Sequence, residues 1–187
     1  MARRAPGTLR IVAGELGGRR LRVPAGDDLR PSAERTREAI FSILGPLAGS
    51  ALDLCCGTGA LGLEALSRGA ERLTLVDRRI APAAANVEAL GLACDPRIEL
   101  VESDAARFLA RSDDAYDVVL CDPPYTLAPR FGPDLDKHLP DRLRPGARVI
   151  VETSPKAPLG LALPLEGERR YGSALVRIYR GADREDS

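Results

Sequence analysis

The sequence predicts a doubly wound α/β fold: a mostly parallel sheet with helices on both faces, preceded by an amino-terminal β-hairpin. Three observations predict it. From residue 50 onward, short apolar runs alternate with helical stretches, the pattern of parallel strands buried on both faces. A glycine-rich turn, Gly57-Thr58-Gly59, follows the first of these runs and opens a helix. The 187 residues, 44% hydrophobic and 29% charged, suit one globular domain with a sizeable core.

The elements follow in order. Leu9-Arg10-Ile11 and Arg20-Leu21-Arg22-Val23 alternate with period two around Gly14, Gly17 and Gly18, which reads as a hairpin. Leu9, Ile11, Leu21 and Val23 share one face, and Arg10, Arg20 and Arg22 the other. Residues 1–30 thus form a basic hairpin extension. Pro31-Ser32 opens a helix to about Leu44, with Ser32 as cap and Ile40, Ile43 and Leu44 on the buried side. Strands are expected near 51–55, 73–76, 98–101, 117–121 and 147–151. Helices are expected near 60–68, 80–90, 105–111 and 133–143, the last weakened by Pro140. Pro155, Pro158 and Pro164 mark a loop before a closing strand at 175–179. The α/β domain spans 31–181, and the tail 182–187 is expected to be disordered.

Composition excludes several classes. There is no apolar run long enough to span a membrane, and the basic start lacks the apolar core of a secretory signal. Cys55, Cys56, Cys94 and Cys121 lack CxxC spacing, and the chain has one histidine, His138. No metal site and no disulfide framework is expected, and the chain reads as a cytoplasmic protein. The net charge of zero hides an asymmetry. Residues 1–37 hold arginines 3, 4, 10, 19, 20, 22, 30, 35 and 37 against Glu15, Asp27, Asp28 and Glu34. A positive patch on a neutral protein points to a polyanionic partner; the alternative is a solvated basic arm without a ligand.

The first chemical motif runs from Asp53 through Gly57, Thr58 and Gly59 to Gly62. The glycines let the backbone turn sharply and approach a ligand. Asp77 ends the next expected strand twenty residues after Gly57, where a carboxylate can accept from both hydroxyls of a ribose. Up to this point the motif suits NAD as well as S-adenosylmethionine. Asp53, inside the strand end, favours the latter, because a carboxylate suits the cationic amino group of a methionine moiety and repels a pyrophosphate. Asp104 ends the third strand, placed to accept from an adenine amine with the Ala105 amide near a ring nitrogen; capping of the following helix is its alternative, compatible role.

The fourth strand ends in Asp122-Pro123-Pro124-Tyr125. Two prolines withdraw two amide donors, so the carbonyl oxygens and the Asp122 carboxylate form a cluster of acceptors. Such a cluster suits an exocyclic amine, whose hydrogens both need acceptors, and Tyr125 offers a face on which a base can stack. Cys55, Cys56 and Cys121 read as small core residues rather than nucleophiles.

With these residues in view, the chain resembles the bacterial 16S ribosomal RNA guanine-N2 methyltransferases, within the class I S-adenosylmethionine-dependent enzymes. The resemblance covers about residues 9–180. It rests on RIVAGELGGRRLRVP near the amino end, on Arg30-Pro31-Ser32 with residues 34–41, and on residues 53–66 followed by Ser67-Arg68-Gly69-Ala70. Asn86, Asp122-Pro123-Pro124-Tyr125 and Tyr171-Gly172 also match. Cys55-Cys56 stands where the family has an aromatic-alanine pair, Thr58 stands for serine, and the stretch after Asp77 is less acidic. The resemblance implies a Rossmann-like, seven-stranded sheet with one antiparallel strand. It also implies S-adenosylmethionine contacts at Asp53, Gly57, Gly59, Asp77 and Asp104, and catalysis at Asp122, Pro123, Pro124 and Tyr125; Thr58 and Ala105 complete the candidate cofactor set.

Ribosomal RNA or the small ribosomal subunit is the implied partner. Arg10, Arg19, Arg20, Arg22, Arg30, Arg35 and Arg37 are the candidate contacts, and the expected form is a monomer. Two other readings stay open. One keeps the chemistry and changes the substrate to adenine N6 in DNA or another RNA amine. The other is a dinucleotide-binding protein without methyl transfer.

Overall fold

A computed structural model describes residues 7–25, 33–124 and 128–183. Arg30, Ser32, Tyr125 and all but two residues of the expected tail therefore lie outside the described residues. The hairpin pairs β1 (Gly7–Arg10) with β2 (Arg20–Val23), with Leu9 opposite Leu21 and Arg10 opposite Arg20. Ile11, Leu21 and Val23 are buried while Arg10, Arg20 and Arg22 are exposed, as the alternation predicts. The helix α1 (Ala33–Leu44) buries Ile40, Phe41 and Leu44. Ile43, expected on the buried side, is 39% exposed. It sits one position off the apolar stripe at the end of the helix. There the carbonyls of Ile43 and Leu44 accept from the Arg148 guanidinium.

The main sheet contains β3 (Ser50–Leu54), β4 (Arg72–Asp77), β5 (Ile98–Glu102), β6 (Tyr116–Cys121), β7 (Leu143–Thr153), β8 (Leu165–Tyr171) and β9 (Ala174–Arg180). Their order is β5-β4-β3-β6-β7-β9-β8, and β9 alone runs against its neighbours. Between the strands run α2 (Ala60–Ser67), α3 (Ala81–Ala89), α4 (Ala105–Arg111) and α5 (Ala128–His138). The sheet is therefore seven-stranded with one antiparallel member. One apolar layer joins Ala51, Leu75, Leu120 and Ile150 to α1, α2, α3 and the hairpin, through Leu63, Leu66, Val87, Ile11 and Leu21. The other joins Leu52, Val119, Cys121 and Val151 to α4 and α5 through Leu109 and Leu135.

Two expectations need correction. The helix expected over 133–143 runs instead from Ala128 to His138 and gives way to a 3-10 turn, Pro140–Arg142. Pro129 stands in its first turn, where a missing N–H costs little, and Pro140 bars its continuation. The strand β8, Leu165–Tyr171, falls in what reads as loop. It is an edge strand with both faces largely exposed, so its sequence carries no apolar alternation. Among the described residues no helix is long and apolar enough to cross a membrane.

Candidate functional site

Strand order fixes where a site can form. β3 pairs with β4 on one side and β6 on the other, so the chain switches direction of winding between β3 and β6. Open α/β sheets bind ligands in the crevice at the carboxyl ends of such strands. The register sets Leu54 beside Cys121, which brings Asp53 and Cys55 alongside the strand that ends in Asp122, Pro123 and Pro124. A cleft opens there, lined among others by Cys55, Asp77, Asp104, Ala105, Pro123 and Pro124.

The glycine turn is built as expected. Gly57 and Gly59 have φ of 53° and 77°, in the left-handed region where a side chain is costly. A Cβ on Gly57 would meet nothing within 4 Å, so this part of the turn faces open space. Cys55 also has a positive φ, 59°, although it is not glycine. Backbone held in this way stores strain that surrounding contacts must hold.

Four acids surround the turn, each in a different setting. Asp53 is 1% exposed; one carboxylate oxygen accepts from Gly62 N at 2.8 Å, and the other has no hydrogen-bond partner among the described residues. Burial pushes its carboxyl up to about 8; the Gly62 amide pulls the other way, and the charges of Asp122 and Asp77 add to the rise. A buried, orphaned acceptor among like charges is stabilised by a cation. Asp77 accepts from Gly57 N and Arg79 N, both at 2.9 Å, so it clamps the turn and still keeps a lone pair on each oxygen. Asp104 caps α4 by accepting from Arg107 N at 3.2 Å and is paired with Arg78. Burial alone would raise its carboxyl, but the Arg78 side chain and the Arg107 amide outweigh that and hold it below the usual range. Asp122 is half-buried at the end of β6.

The thiols play a packing part. Cys56 and Cys121 are buried and Cys55 half-buried, all as free thiols. Burial and the neighbouring acids raise all three, Cys55 to about 12, so none is a thiolate near neutral pH.

The arginines divide. Arg10, Arg20, Arg22 and Arg35 are exposed, and Arg19 reaches Leu90 O at 3.1 Å. Arg37, expected among the RNA contacts, is 3% exposed and is corrected to a core position. Its guanidinium donates to Arg10 O and lies 3.5 Å from the buried Glu64. A guanidinium spent on a buried carboxylate is not available to phosphate.

Three residues with no role expected from the sequence stand at or beside the cleft. Arg78 covers Asp104, and Phe131 of α5 also lines the cleft. Asn86 of α3, 1% exposed, donates to Thr58 O in the turn at 2.9 Å. Asn86 is visible in the sequence as a family match, but its partners lie 28 and 64 residues away.

Comparison with known proteins gives a consistent picture. A family model described as Conserved hypothetical protein 95 matches residues 9–180. An Escherichia coli protein named Ribosomal RNA small subunit methyltransferase D is 39% identical over 121 residues, 64% of this chain and 61% of its own. The match thus spans about three fifths of that relative. A Haemophilus influenzae protein of the same name is 34% identical over 164 residues, 83% of each chain. A solved Escherichia coli structure, described provisionally as a methyltransferase, superposes with a TM-score of 0.79. It is 31% identical and covers 95% of this chain and all of its own.

Proposed function

The chain belongs to the family described as Conserved hypothetical protein 95, and from that premise we propose that it methylates a guanine of small-subunit ribosomal RNA at the exocyclic N2 amine, using S-adenosylmethionine. The observation that carries this reading is the pairing of two strand ends. The buried, unpartnered oxygen of Asp53 lies on β3, and the Asp122-Pro123-Pro124 acceptor cluster ends β6 beside it. A cationic group is wanted on one strand and an amine on the next.

The residues present fit the cofactor. The spare oxygen of Asp53 would receive the methionine amino group, and the turn Gly57-Thr58-Gly59, open at Gly57, would pass beneath the ligand. The free lone pairs of Asp77 would take the ribose hydroxyls. Asp104 and the Ala105 amide would meet the adenine, with Phe131 also lining the cleft. When bound, S-adenosylmethionine supplies an electrophilic methyl group.

The protein's part is to make a poor nucleophile reactive. The N2 lone pair of guanine is delocalised into the ring. Asp122 and the Pro123 carbonyl, accepting the two amine hydrogens, favour the pyramidal nitrogen on which that lone pair is localised. Holding it in line with the methyl supplies much of the remaining acceleration. The proton shed by the amine passes to the acceptor that already holds it, Asp122 foremost. The base must be unstacked, which costs a few kcal/mol in a duplex and less in a loop. Tyr125, assigned on the motif, offsets part of that by stacking. Arg10, Arg19, Arg20, Arg22, Arg30 and Arg35 would hold the phosphates. The proposed form is a monomer, and the ribosomal substrate implies the cytoplasm.

The test is transfer of a labelled methyl group to ribosomal RNA from a strain lacking this protein, followed by mapping of the product. The expected result is one labelled guanine, methylated at N2, in the 16S molecule. Label on an adenine, on DNA, or on nothing would overturn the reading.

A further inference from the structure

The hairpin is held by its main chain as well as by packing. On α2, Glu64 accepts from Val12 N at 2.7 Å and Ala13 N at 3.1 Å. One turn on, Ser67 Oγ accepts from Leu16 N at 2.9 Å. Gly14 lies so close that a Cβ there would run into the Ser67 carbonyl. On α3, the Asn86 side chain grips β2 in the manner of a neighbouring strand. Its Oδ1 accepts from Arg22 N at 2.8 Å, and its Nδ2 donates to Arg22 O at 3.0 Å. The same Nδ2 donates to Thr58 O at 2.9 Å. One buried amide therefore joins the strand that carries Arg20 and Arg22 to the residue between Gly57 and Gly59.

We propose that Asn86 is a positioning residue that couples the two ligand sites, so that cofactor and RNA each bind better to protein already holding the other. This rests on the reading of the cleft and the hairpin given above. Thr58 stands between two glycines, the residues that lose the most freedom on ordering, so its carbonyl is where a tether has most effect. RNA held on the Arg20 and Arg22 side chains restrains the backbone of β2. That backbone holds Asn86, and Asn86 holds the turn. A ligand that arrives second meets a turn or a strand already ordered. Coupling of this kind is reciprocal by thermodynamic necessity. Glu64 and Ser67 hold residues 12–16 independently of Asn86, so the hairpin stays docked when Asn86 is changed.

The experiment is a titration of S-adenosylhomocysteine into the full chain, with and without a saturating 16S ribosomal RNA fragment, and the reverse titration. Wild type should show a tightening of about 5-fold or more, equal in both directions. Asn86→Ala should bring that factor close to one. Asn86→Asp keeps an oxygen for Arg22 N but loses both donated bonds, and should uncouple the sites as well; it carries the test if the alanine variant fails to fold. A purely structural asparagine would lower both affinities and leave their ratio intact, so variants retaining the wild-type factor overturn the proposal. Independent binding by the wild type also overturns it, yet leaves the methyltransferase reading standing. Wild type that binds no RNA removes the assigned role of the hairpin, and this inference with it.

Discussion

The carboxyl ends of β3, β4 and β6 and the outer face of the hairpin carry opposite charge for different reasons. At the strand ends, Asp53, Asp77, Asp104 and Asp122 come close together, and burial first, then the charges of Asp122 and Asp77, raise the Asp53 carboxyl. On the hairpin, Arg20 and Arg22 point outward, and among the described residues no carboxylate pairs with them or with Arg35. The carboxyl-terminal strands show what paired arginines look like: Arg177 meets Glu168 at 2.8 Å and Arg180 meets Glu166 at 3.3 Å. An arginine count alone therefore says little about a polyanion surface. What distinguishes Arg20 and Arg22 is that, among the described residues, no carboxylate pairs with their charge, whereas at the cleft Asp104 is held by Arg78 and Asp77 by two backbone amides. Chemistry belongs to the first region and attachment to the second, and variants should separate them.

The largest effect is expected at Asp122. Asp122→Ala should cut methyl transfer by about 100- to 1,000-fold, the range for losing one group that stabilises developing charge. Cofactor affinity and the salt dependence of RNA binding should hardly move. Near-normal turnover would remove Asp122 from the chemistry.

Asp53 should give the next largest effect, on binding. Asp53→Asn should weaken S-adenosylmethionine by about 3 kcal/mol, the lower range for removing one partner of a buried charge pair. The pH dependence carries a sign of its own. With the folded carboxyl at about 8 and the unfolded one near 4, the ligand-free fold holds a proton that the unfolded chain has lost. Its stability contribution is thus full below about pH 4 and is lost as pH rises toward about 8. Cofactor affinity runs the opposite way, rising with pH through the same window as the carboxylate forms. Asp53→Asn should flatten both trends, as thermal melting and calorimetry across pH 5–9 would reveal. A wild-type affinity independent of pH would contradict this setting for Asp53.

Asp77→Ala should follow, weakening the cofactor by roughly 1.5–3 kcal/mol, the range for hydrogen bonds to a charged group. Part of the loss would come from the turn itself, since Asp77 also holds Gly57 N and Arg79 N. Unchanged affinity by calorimetry would mean that Asp77 clamps the turn and nothing else.

The two regions also differ in how far they can be read from sequence. Strands β3 to β7 and the motif residues that end them were legible, because the central parallel strands β3, β4 and β6 are largely apolar and buried and the acids at or just past the strand ends stand out. The hairpin's face assignment was legible from its period-two alternation. Polar residues that turn inward were not. Glu64, Ser67 and Asn86 look like ordinary helix surface residues, and only the fold brings the backbone amides of residues 12–22 against them. Arg37 misled for the same reason: its partner, Glu64, lies 27 positions away. Strand β8, polar on both faces at the sheet edge, gave no periodic signal at all.

The smallest expected effect tests the hairpin against the carboxyl-terminal strands. Phosphate contacts release counterions, so each one adds about 0.7 to the magnitude of the log–log salt slope for a single-stranded target. Arg20→Ala with Arg22→Ala should therefore flatten the slope for a 16S RNA fragment by about 1.4 and weaken binding most at low salt. The matching control is Arg177→Ala with Arg180→Ala. These side chains are already spent on Glu168 and Glu166, so their loss should leave the slope nearly unchanged. Cofactor affinity without RNA should stay put in the hairpin variant, because Asn86 holds Arg22 through its backbone and not through its guanidinium. If both double variants flatten the slope equally, absence of internal partners does not mark the RNA surface, and the contrast between the two regions fails. If neither does, the hairpin arginines are a solvated face, and the phosphates are held elsewhere.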